Sequence, residues 1–159
     1  MNATVAQIGA GTINALTAIR AKTSVSQAKF TLLDTAHIEE QTLVITNNGL
    51  VPVKYKFTLE PSEAFNFFGD SPLAQGDPLY TMYPYALEPE VDLPGPILVL
   101  GRRSETIKLN FSPPKVANAS AIPIYSGKVA ISGDNGDKLG ITYLGMEQVV
   151  SLMISGLTS

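Results

Sequence analysis

The sequence of 159 residues contains no cysteine and only one histidine, His37. Without cysteine, the chain can form no disulfide and carries neither a thiolate nucleophile nor a thiolate metal site. No apolar run reaches the roughly 18 residues that a membrane-spanning helix needs. Residues 1–4 have neither a basic segment nor a long apolar one, so we expect no secretory signal at the start of this sequence.

Charge of either sign is sparse as well. The sequence has 11 lysines and arginines against 14 aspartates and glutamates, which gives a net charge of −3. A slightly acidic chain offers no electrostatic reason to bind nucleic acid or an anionic membrane. We therefore expect no nucleic-acid partner and no membrane insertion. The length suits one domain with its own core.

The sequence also lacks a recognisable reaction centre. His37 follows Asp34 by three residues, but no G-x-S-x-G motif supplies a nucleophile for a serine triad. A solvated loop is the simpler interpretation of His37, because Glu39 and Glu40 follow it. We expect no catalytic residue, and we expect the isolated chain to hydrolyse nothing.

No cofactor site and no metal site are predicted either. The Gly-Ala-Gly sequence at residues 9–11 hints at a dinucleotide loop, but Asn14 replaces the third glycine of that fingerprint. Residues 134–137 resemble part of a calcium loop, yet the downstream bidentate glutamate is missing, so a hairpin turn explains them better. The acidic residues 88–92 favour a solvated loop, with a cation site or a basic partner as the alternative.

What the sequence does contain is alternation of apolar and polar residues, which is typical of half-buried strands. Residues 122–145 are the clearest case, with Tyr125, Val129 and Ile131 before a Gly-Asp-Asn-Gly-Asp turn and Ile141 after it. This pattern predicts a β-hairpin, which needs further strands to pack on. Such strands are predicted at residues 29–32, 42–46, 53–60, 97–100, 106–111 and 148–155.

These strands predict an all-β fold, an antiparallel β-sandwich of the fibronectin III-like or immunoglobulin-like kind. One short α-helix is predicted before it at residues 11–21, where Ile13, Leu16 and Ile19 form an apolar stripe. Residues 60–96 hold seven of the eleven prolines and six aromatic residues. We interpret them as a long ordered loop that covers the core or, alternatively, presents a recognition surface.

Three Asn-x-Ser/Thr sequons begin at Asn2, Asn110 and Asn118, and these are the possible N-glycosylation sites. Asn110 lies on the polar face of its predicted strand and Asn118 in a predicted loop, so both could accept a glycan. Sequons are common by chance, so they support secretion without establishing it.

Longer motifs resemble a known family. Residues 124–133 and 143–145 are similar to a P-x-Y-S-G strand, an I-x-G turn and a P-Y-L-G ending, although Thr142 stands where that family often has proline. Residues 43–55 match a T-N-x-G-x-x-P-V-x-Y strand pair, and residues 97–114 match a V-x-V-P-x-G-x-S segment and the strand after it. The chain thereby resembles the fibronectin type III-like domain of large secreted subtilisin-like serine proteases.

The resemblance implies two parts. Residues 1–22 would be the helical end of a subtilase catalytic domain, because residues 7–15 are similar to its Q-x-G-A-G-x-x-N-A motif. Residues 23–159 would be the fibronectin type III-like domain. The catalytic Asp, His and Ser of the family lie upstream, so none of them maps onto this chain.

The expected function is that of a non-catalytic accessory domain of a secreted subtilisin-like endopeptidase. Its partners would be the adjacent catalytic domain, which it supports, and the protein substrates, which it helps to place outside the cell. The alternative is a free-standing secreted or cell-surface module that binds a protein or a glycan. Neither function requires a cofactor.

Overall fold

The computed structural model describes residues 19–34, 38–66, 84–116 and 122–147. No helix among these residues is long and apolar enough to cross a membrane. Their regular structure is dominated by strands, which are β1 (Thr23–Val25), β2 (Lys29–Asp34), β3 (Gln41–Asn47), β4 (Val53–Pro61), β5 (Glu63–Asn66), β6 (Tyr85–Ala86), β7 (Glu90–Asp92), β8 (Ile97–Val99), β9 (Arg103–Ser112), β10 (Pro123–Gly133) and β11 (Lys138–Met146).

The strands form two sheets that enclose a common core. The first sheet has the order β1-β3-β9-β7, and the second has the order β2-β11-β10-β4-β8. β5 extends the second sheet by pairing with β10 beyond the end of β4, and β6 pairs with β5. This order is that of an immunoglobulin-type β-sandwich, so the predicted fold class is confirmed.

One strand pair departs from the expected antiparallel pattern. β2 runs parallel to β11, with Phe30 opposite Tyr143, whereas the other pairs among the described strands are antiparallel. The reason is that the chain changes sheets at residues 26–28 without reversing. β1 lies antiparallel to β3 in the first sheet, and β2 continues in the same direction beside β11 in the second.

On the opposite side of the sandwich, the chain also changes from one sheet to the other. β7 pairs with β9 in the first sheet, and β8 pairs with β4 in the second. Each sheet therefore ends in a short strand whose continuation belongs to the other sheet. Short edge strands of this kind leave little open backbone for unwanted pairing.

The core is continuous between the sheets. Tyr55 and Phe57 on β4 are only 0% and 9% exposed, so the predicted register of this strand is confirmed. The ring of Phe111 on β9 contacts those of Phe30 and Tyr143, at centroid distances of 5.8 and 5.6 Å, and so joins the two sheets. The remaining buried core residues are Leu32, Leu43, Ile45, Val53, Ala64, Val99, Ile107, Leu109, Tyr125, Val129, Ile131 and Ile141.

Two tyrosine–glycine pairs shape the hairpin of β10 and β11. Tyr125 lies opposite Gly145, and Gly127 lies opposite Tyr143. A Cβ atom on either glycine would overlap the side chain of the facing tyrosine. The glycines therefore make room for two fully buried rings, and the predicted hairpin at residues 122–145 is confirmed.

Some elements differ from the sequence-based expectations. Residues 60–96, predicted as a loop, contain β5, β6 and β7 in their described portions. These strands have only two to four residues, which is too short to show alternation. The first strand begins at Thr23 rather than after Gln27, and it follows helical backbone at Ile19 and Arg20.

Other predictions fall outside the described residues. They are the greater part of the helix at residues 11–21 and the last strand at residues 148–155. The division into residues 1–22 and 23–159 also stays a prediction. Of the predicted apolar stripe, the structure describes Ile19, whose side chain is 83% exposed.

The hydroxyls of Tyr125 and Tyr143 are buried and have no hydrogen-bond partner among the described residues. Burial raises the pKa of Tyr125 to about 12, with a further contribution from Glu147, so its hydroxyl stays neutral at ordinary pH. Because an unpaired buried hydroxyl carries a desolvation cost, we expect Tyr143→Phe to raise the free energy of unfolding by about 1 kcal/mol in urea titrations.

Tyr55→Phe is the matched control for this measurement. The hydroxyl of Tyr55 lies 2.9 Å from Thr23 Oγ1 in a buried hydrogen bond. Its loss should lower the free energy of unfolding by about 1 kcal/mol, so the two substitutions should have opposite signs. A Tyr143→Phe variant that is destabilised as much as Tyr55→Phe would contradict the assignment of an unpaired hydroxyl.

Candidate protein-binding surface

One end of the sandwich brings loops from both sheets side by side. We call this end the tip and define it as residues 47–52, between β3 and β4, and residues 98–102, around the turn from β8 to β9. A backbone hydrogen bond of 3.0 Å from Arg102 N to Gly49 O joins the two loops. The tip is therefore an ordered platform built from segments distant in sequence.

A buried asparagine holds the tip together. Asn47 is fully buried at the end of β3, and its Nδ2 donates to Val51 O at 2.8 Å and to Val99 O at 3.1 Å. Its Oδ1 accepts a hydrogen bond from Gly49 N at 2.9 Å. Both ends of the amide are thus satisfied within the protein, and both loops are fixed relative to each other.

The tip carries four large aliphatic side chains that lie mostly in solvent. Leu50, Val51, Leu98 and Leu100 are 76%, 72%, 59% and 55% exposed, respectively. The loops can approach because Gly101 has no Cβ, which would overlap the backbone of Leu50. A single exposed leucine is ordinary, but four exposed aliphatic side chains on two joined loops make this apolar patch a candidate interaction site, with Leu98 on the side that faces Lys54 of β4.

A groove of about 560 Å³ opens beside this patch. It is lined by residues 47–51 together with Lys22, Val53 and Asn135. Lys22 immediately precedes β1, so the groove lies where the chain enters the sandwich. A groove of this size next to exposed aliphatic groups can accept an apolar side chain from a protein partner.

A second polar network lies beneath the groove. Thr23 Oγ1 donates to Asp137 Oδ2 at 2.6 Å, so the hydroxyl of Tyr55 must be the donor in its own bond to Thr23. The same Asp137 oxygen accepts from Lys22 N at 3.0 Å and from Asn135 Nδ2 at 2.9 Å. The network ties β1 of the first sheet to β4 and to the β10–β11 turn of the second.

The carboxylate of Asp137 stays ionised in this setting. Burial would raise the pKa of Asp137, but the hydrogen bonds donated by Thr23, Asn135 and Lys22 favour the charged form and together lower the pKa below its usual value. The negative charge of the half-buried Asp137 is therefore stabilised by donors that also fix the start of β1.

The partial calcium-loop pattern in this turn has a structural explanation. Asp134 Oδ1 accepts a hydrogen bond from Lys54 N at 3.1 Å, and Asn135 Oδ1 accepts one from Asp137 N at 3.0 Å. These polar side chains close the turn and attach it to β4, as the hairpin interpretation requires. Within the described parts of the chain, no cluster of three or more acidic or histidine side chains is arranged to hold a metal ion.

The sequence-predicted residues are not at the tip. Asn110 is exposed on β9, on the outer face of the first sheet. Asn2, Asn118 and His37 lie outside the described residues, so the predictions about them are untested.

Sequence reasoning missed the tip, although one signal was present. Leu50 and Val51 directly follow an Asn-Asn-Gly turn, where polar residues are the usual choice. Leu98 and Leu100 belong to a segment whose apolar residues predict a strand. No feature of the neighbouring sequence shows that this segment meets the β3–β4 loop.

Comparison with known proteins identifies no family. No family model matches the chain, and no curated protein matches it significantly. Among solved structures, an ASH/PapD-like domain of human CEP192 is similar with a TM-score of 0.49 and 12% identity, over 81% of this chain and 85% of that one.

Two further structures have similar folds. One belongs to the CsuC–CsuE chaperone–tip adhesion subunit complex of Acinetobacter baumannii, with a TM-score of 0.46 and 9% identity, over 79% of this chain and 56% of that one. The other is WR4, an MSP family member of C. elegans, with a TM-score of 0.42 and 9% identity, over 81% of this chain and 100% of that one. None of these similarities indicates what the chain binds.

The resemblance to subtilisin-like serine proteases is wrong. No subtilase family model matches, and the similar structures are PapD-like and MSP-like sandwiches rather than parts of proteases. The expected roles as a protease accessory domain, with a catalytic domain as neighbour and protease substrates as partners, lose their basis. The motifs at residues 43–55, 97–114 and 124–145 belong to strands and turns of a sandwich, which unrelated proteins share, and the motif at residues 7–15 lies outside the described residues.

Asp137→Asn tests the network beneath the groove. The substitution removes charge-assisted hydrogen bonds from three donors, so we expect the free energy of unfolding at neutral pH to fall by about 2 kcal/mol. Asp134→Asn is the control, since Asp134 accepts one bond from Lys54 N and its loss should cost about 1 kcal/mol. Urea titrations of both variants give the comparison.

The pH dependence of Asp137→Asn follows from the lowered pKa. An aspartate of the unfolded chain titrates at about pH 4, and the folded Asp137 titrates below that. The stability contributed by its charge is therefore present above about pH 4 and is lost as the pH falls further. If the free energies of unfolding of wild type and Asp137→Asn differ by as much at about pH 3 as at neutral pH, the charge of Asp137 contributes nothing to stability.

Proposed function

We propose that this chain is a non-catalytic β-sandwich module that binds a protein partner through its tip. The observation that carries the proposal is the exposure of Leu50, Val51, Leu98 and Leu100 on a platform fixed by the buried Asn47. Preorganised apolar groups beside a groove bind without paying much conformational entropy. This function corresponds to the free-standing binding module that the sequence left as the alternative.

A protein partner fits the tip better than a glycan does. The four exposed side chains are aliphatic and provide no hydrogen bonds for sugar hydroxyls. Protein interfaces, in contrast, have an apolar centre with a polar rim, and the groove beside the patch has polar residues among those that line it, at Lys22, Asn48 and Asn135.

The double variant Leu50→Ser, Leu98→Ser tests this proposal. It removes two exposed apolar groups and leaves the hydrogen bonds of Asn47 in place, so the fold should be retained. We expect the variant to bind its partner at least about tenfold more weakly than the wild type. The partner would be found by quantitative capture from source cells and confirmed in purified form by calorimetry.

Met146→Ser is the matched control for the tip variant. Met146 is 41% exposed on β11, so it also loses an exposed apolar side chain, but it does not belong to the tip. A partner that binds the wild type and Met146→Ser but not the tip variant supports the proposal. A purified partner that binds all three proteins equally would contradict it.

A secreted location belongs to the proposal as well, and its support is the sequon at Asn110. The side chain of Asn110 is exposed on the outer face of β9, where an oligosaccharide would not disturb the core. Expressed behind a leader in eukaryotic cells, the chain should show a mass increase that a glycosidase removes and that Asn110→Gln abolishes. A mass increase that persists in Asn110→Gln would assign the glycan to another sequon.

A further inference from the structure

The outer face of the second sheet is positively charged, although the chain as a whole has a negative net charge. Five lysines project from its strands β2, β4, β10 and β11 and are exposed, against one glutamate at the described outward positions of these four strands, Glu60. We call this surface the lysine face and define it as Lys29 on β2, Lys138 on β11, Lys128 on β10, and Lys54 and Lys56 on β4. Its excess of positive charge stands out because the net charge of the chain is −3.

Four of the five lysines stand in two rows across the strands, and Lys54 lies beyond them, opposite Leu98 of β8. In one row, Ser132 of β10 has Lys56 and Lys138 as its neighbours on the two sides. In the other row, Lys128 lies beside Thr142, which is paired in turn with Lys29. The rows lie four residues apart along each strand, which corresponds to about 13 Å.

The floor between the rows is made of small side chains. Thr58, Ala130 and Gly140 are neighbours across β4, β10 and β11 and form the middle row. A shallow trough of about 450 Å³ lies over them, with Lys128 and Lys138 among its lining residues. The trough gives a ligand access to the lysines from above, because no large side chain fills the middle row.

Most of these lysines have no internal counter-charge. Lys128 pairs with Glu60 at 2.9 Å, and Asp134 lies beside Lys54 at the tip end of the face. Among the described residues, Lys29, Lys56 and Lys138 make no ion pair.

The first sheet shows the opposite arrangement. Lys108, on the outer face of β9, pairs with Glu40 at 2.8 Å. Lys115, which follows the end of β9, pairs with Glu90 of β7 at 3.7 Å. The unpaired lysines of the second sheet are therefore free to meet an external counter-charge, whereas Lys108 and Lys115 already have one within the protein.

We propose that the lysine face binds an acidic polypeptide segment in extended form. Two acidic groups about four residues apart along such a segment would reach both lysine rows, since an extended chain advances by about 3.3 Å per residue. The hydroxyls of Thr58, Ser132 and Thr142 offer hydrogen bonds to its backbone. Leu144, 41% exposed in the adjoining row of β11, provides an apolar contact for a side chain of such a segment.

The composition of the face does not suit a nucleic acid. The outward positions of β2, β4, β10 and β11 hold neither arginine nor an aromatic residue, so bases have nothing to stack on. Glu60 stands in one of the lysine rows, where it would repel a continuous line of phosphates. Separate carboxylates on a peptide can avoid it.

The test uses the full chain and a short fluorescein-labelled peptide of Glu, Asp and Leu, with acidic groups at a spacing of about four residues. Fluorescence anisotropy should show binding that weakens with added salt. We expect Lys56→Gln, Lys138→Gln to weaken binding about tenfold, since each exposed charge pair contributes modestly. Lys108→Gln, Lys115→Gln is the matched control, because it changes the net charge equally on the other sheet.

The outcomes separate this proposal from its competitors. Binding of the peptide that is lost in Lys56→Gln, Lys138→Gln and kept in the control and in the tip variant supports the proposal. No binding by the wild type, or equal losses in both lysine variants, would overturn it. Tighter binding of a labelled oligonucleotide, of heparin or of phosphatidylserine vesicles than of the peptide would also overturn it. The melting temperatures should be unchanged, because all four lysines are exposed.

Discussion

The position of the two sheets relative to each other depends on the hydroxyl of Thr23. This hydroxyl accepts a hydrogen bond from Tyr55 and donates one to Asp137, so both sheets and one turn meet at a single oxygen. Apolar burial is not directional and would allow the sheets to slide, whereas these bonds fix the position of β1. Once β1 is placed, the crossing at residues 26–28 places β2 beside β11, and the first sheet is tied to the second.

The positions of the long strands could be predicted because their signal is local. Alternation such as that of β4, with Tyr55 and Phe57 inward, is visible within a few residues and implies one buried face. Apart from the hairpin of β10 and β11, the pairing of strands could not be predicted, because short strands such as β1 and β8 have three residues each and show no period. The tip escaped prediction for a related reason, since the bond from Asn47 to Val99 O joins segments 52 positions apart.

The false family resemblance has a physical origin. Gly127 and Gly145 stand where they do because tyrosine rings lie over them, and Asn47 and Gly49 stand where a tight loop needs them. Such requirements recur in many β-sandwiches. Short motifs built from them therefore indicate the fold and do not show common ancestry. Net charge misleads in a similar way, because a total of −3 does not show how the charges are distributed. Lys108 and Lys115 are paired with glutamates, whereas most lysines on the outer face of the second sheet make no ion pair among the described residues.

The parallel pair of β2 and β11 also determines how the protein resists a mechanical load. β2 enters at Lys29, opposite Thr142, while β11 leaves at Met146, at the other end of the same ladder. A force that pulls Lys29 and Met146 in opposite directions along these strands therefore loads their hydrogen bonds together, in shear. A hairpin pulled from its open end would instead yield one bond at a time. The ladder of β2 and β11 thus resists a pull along the strands better than one that peels them apart.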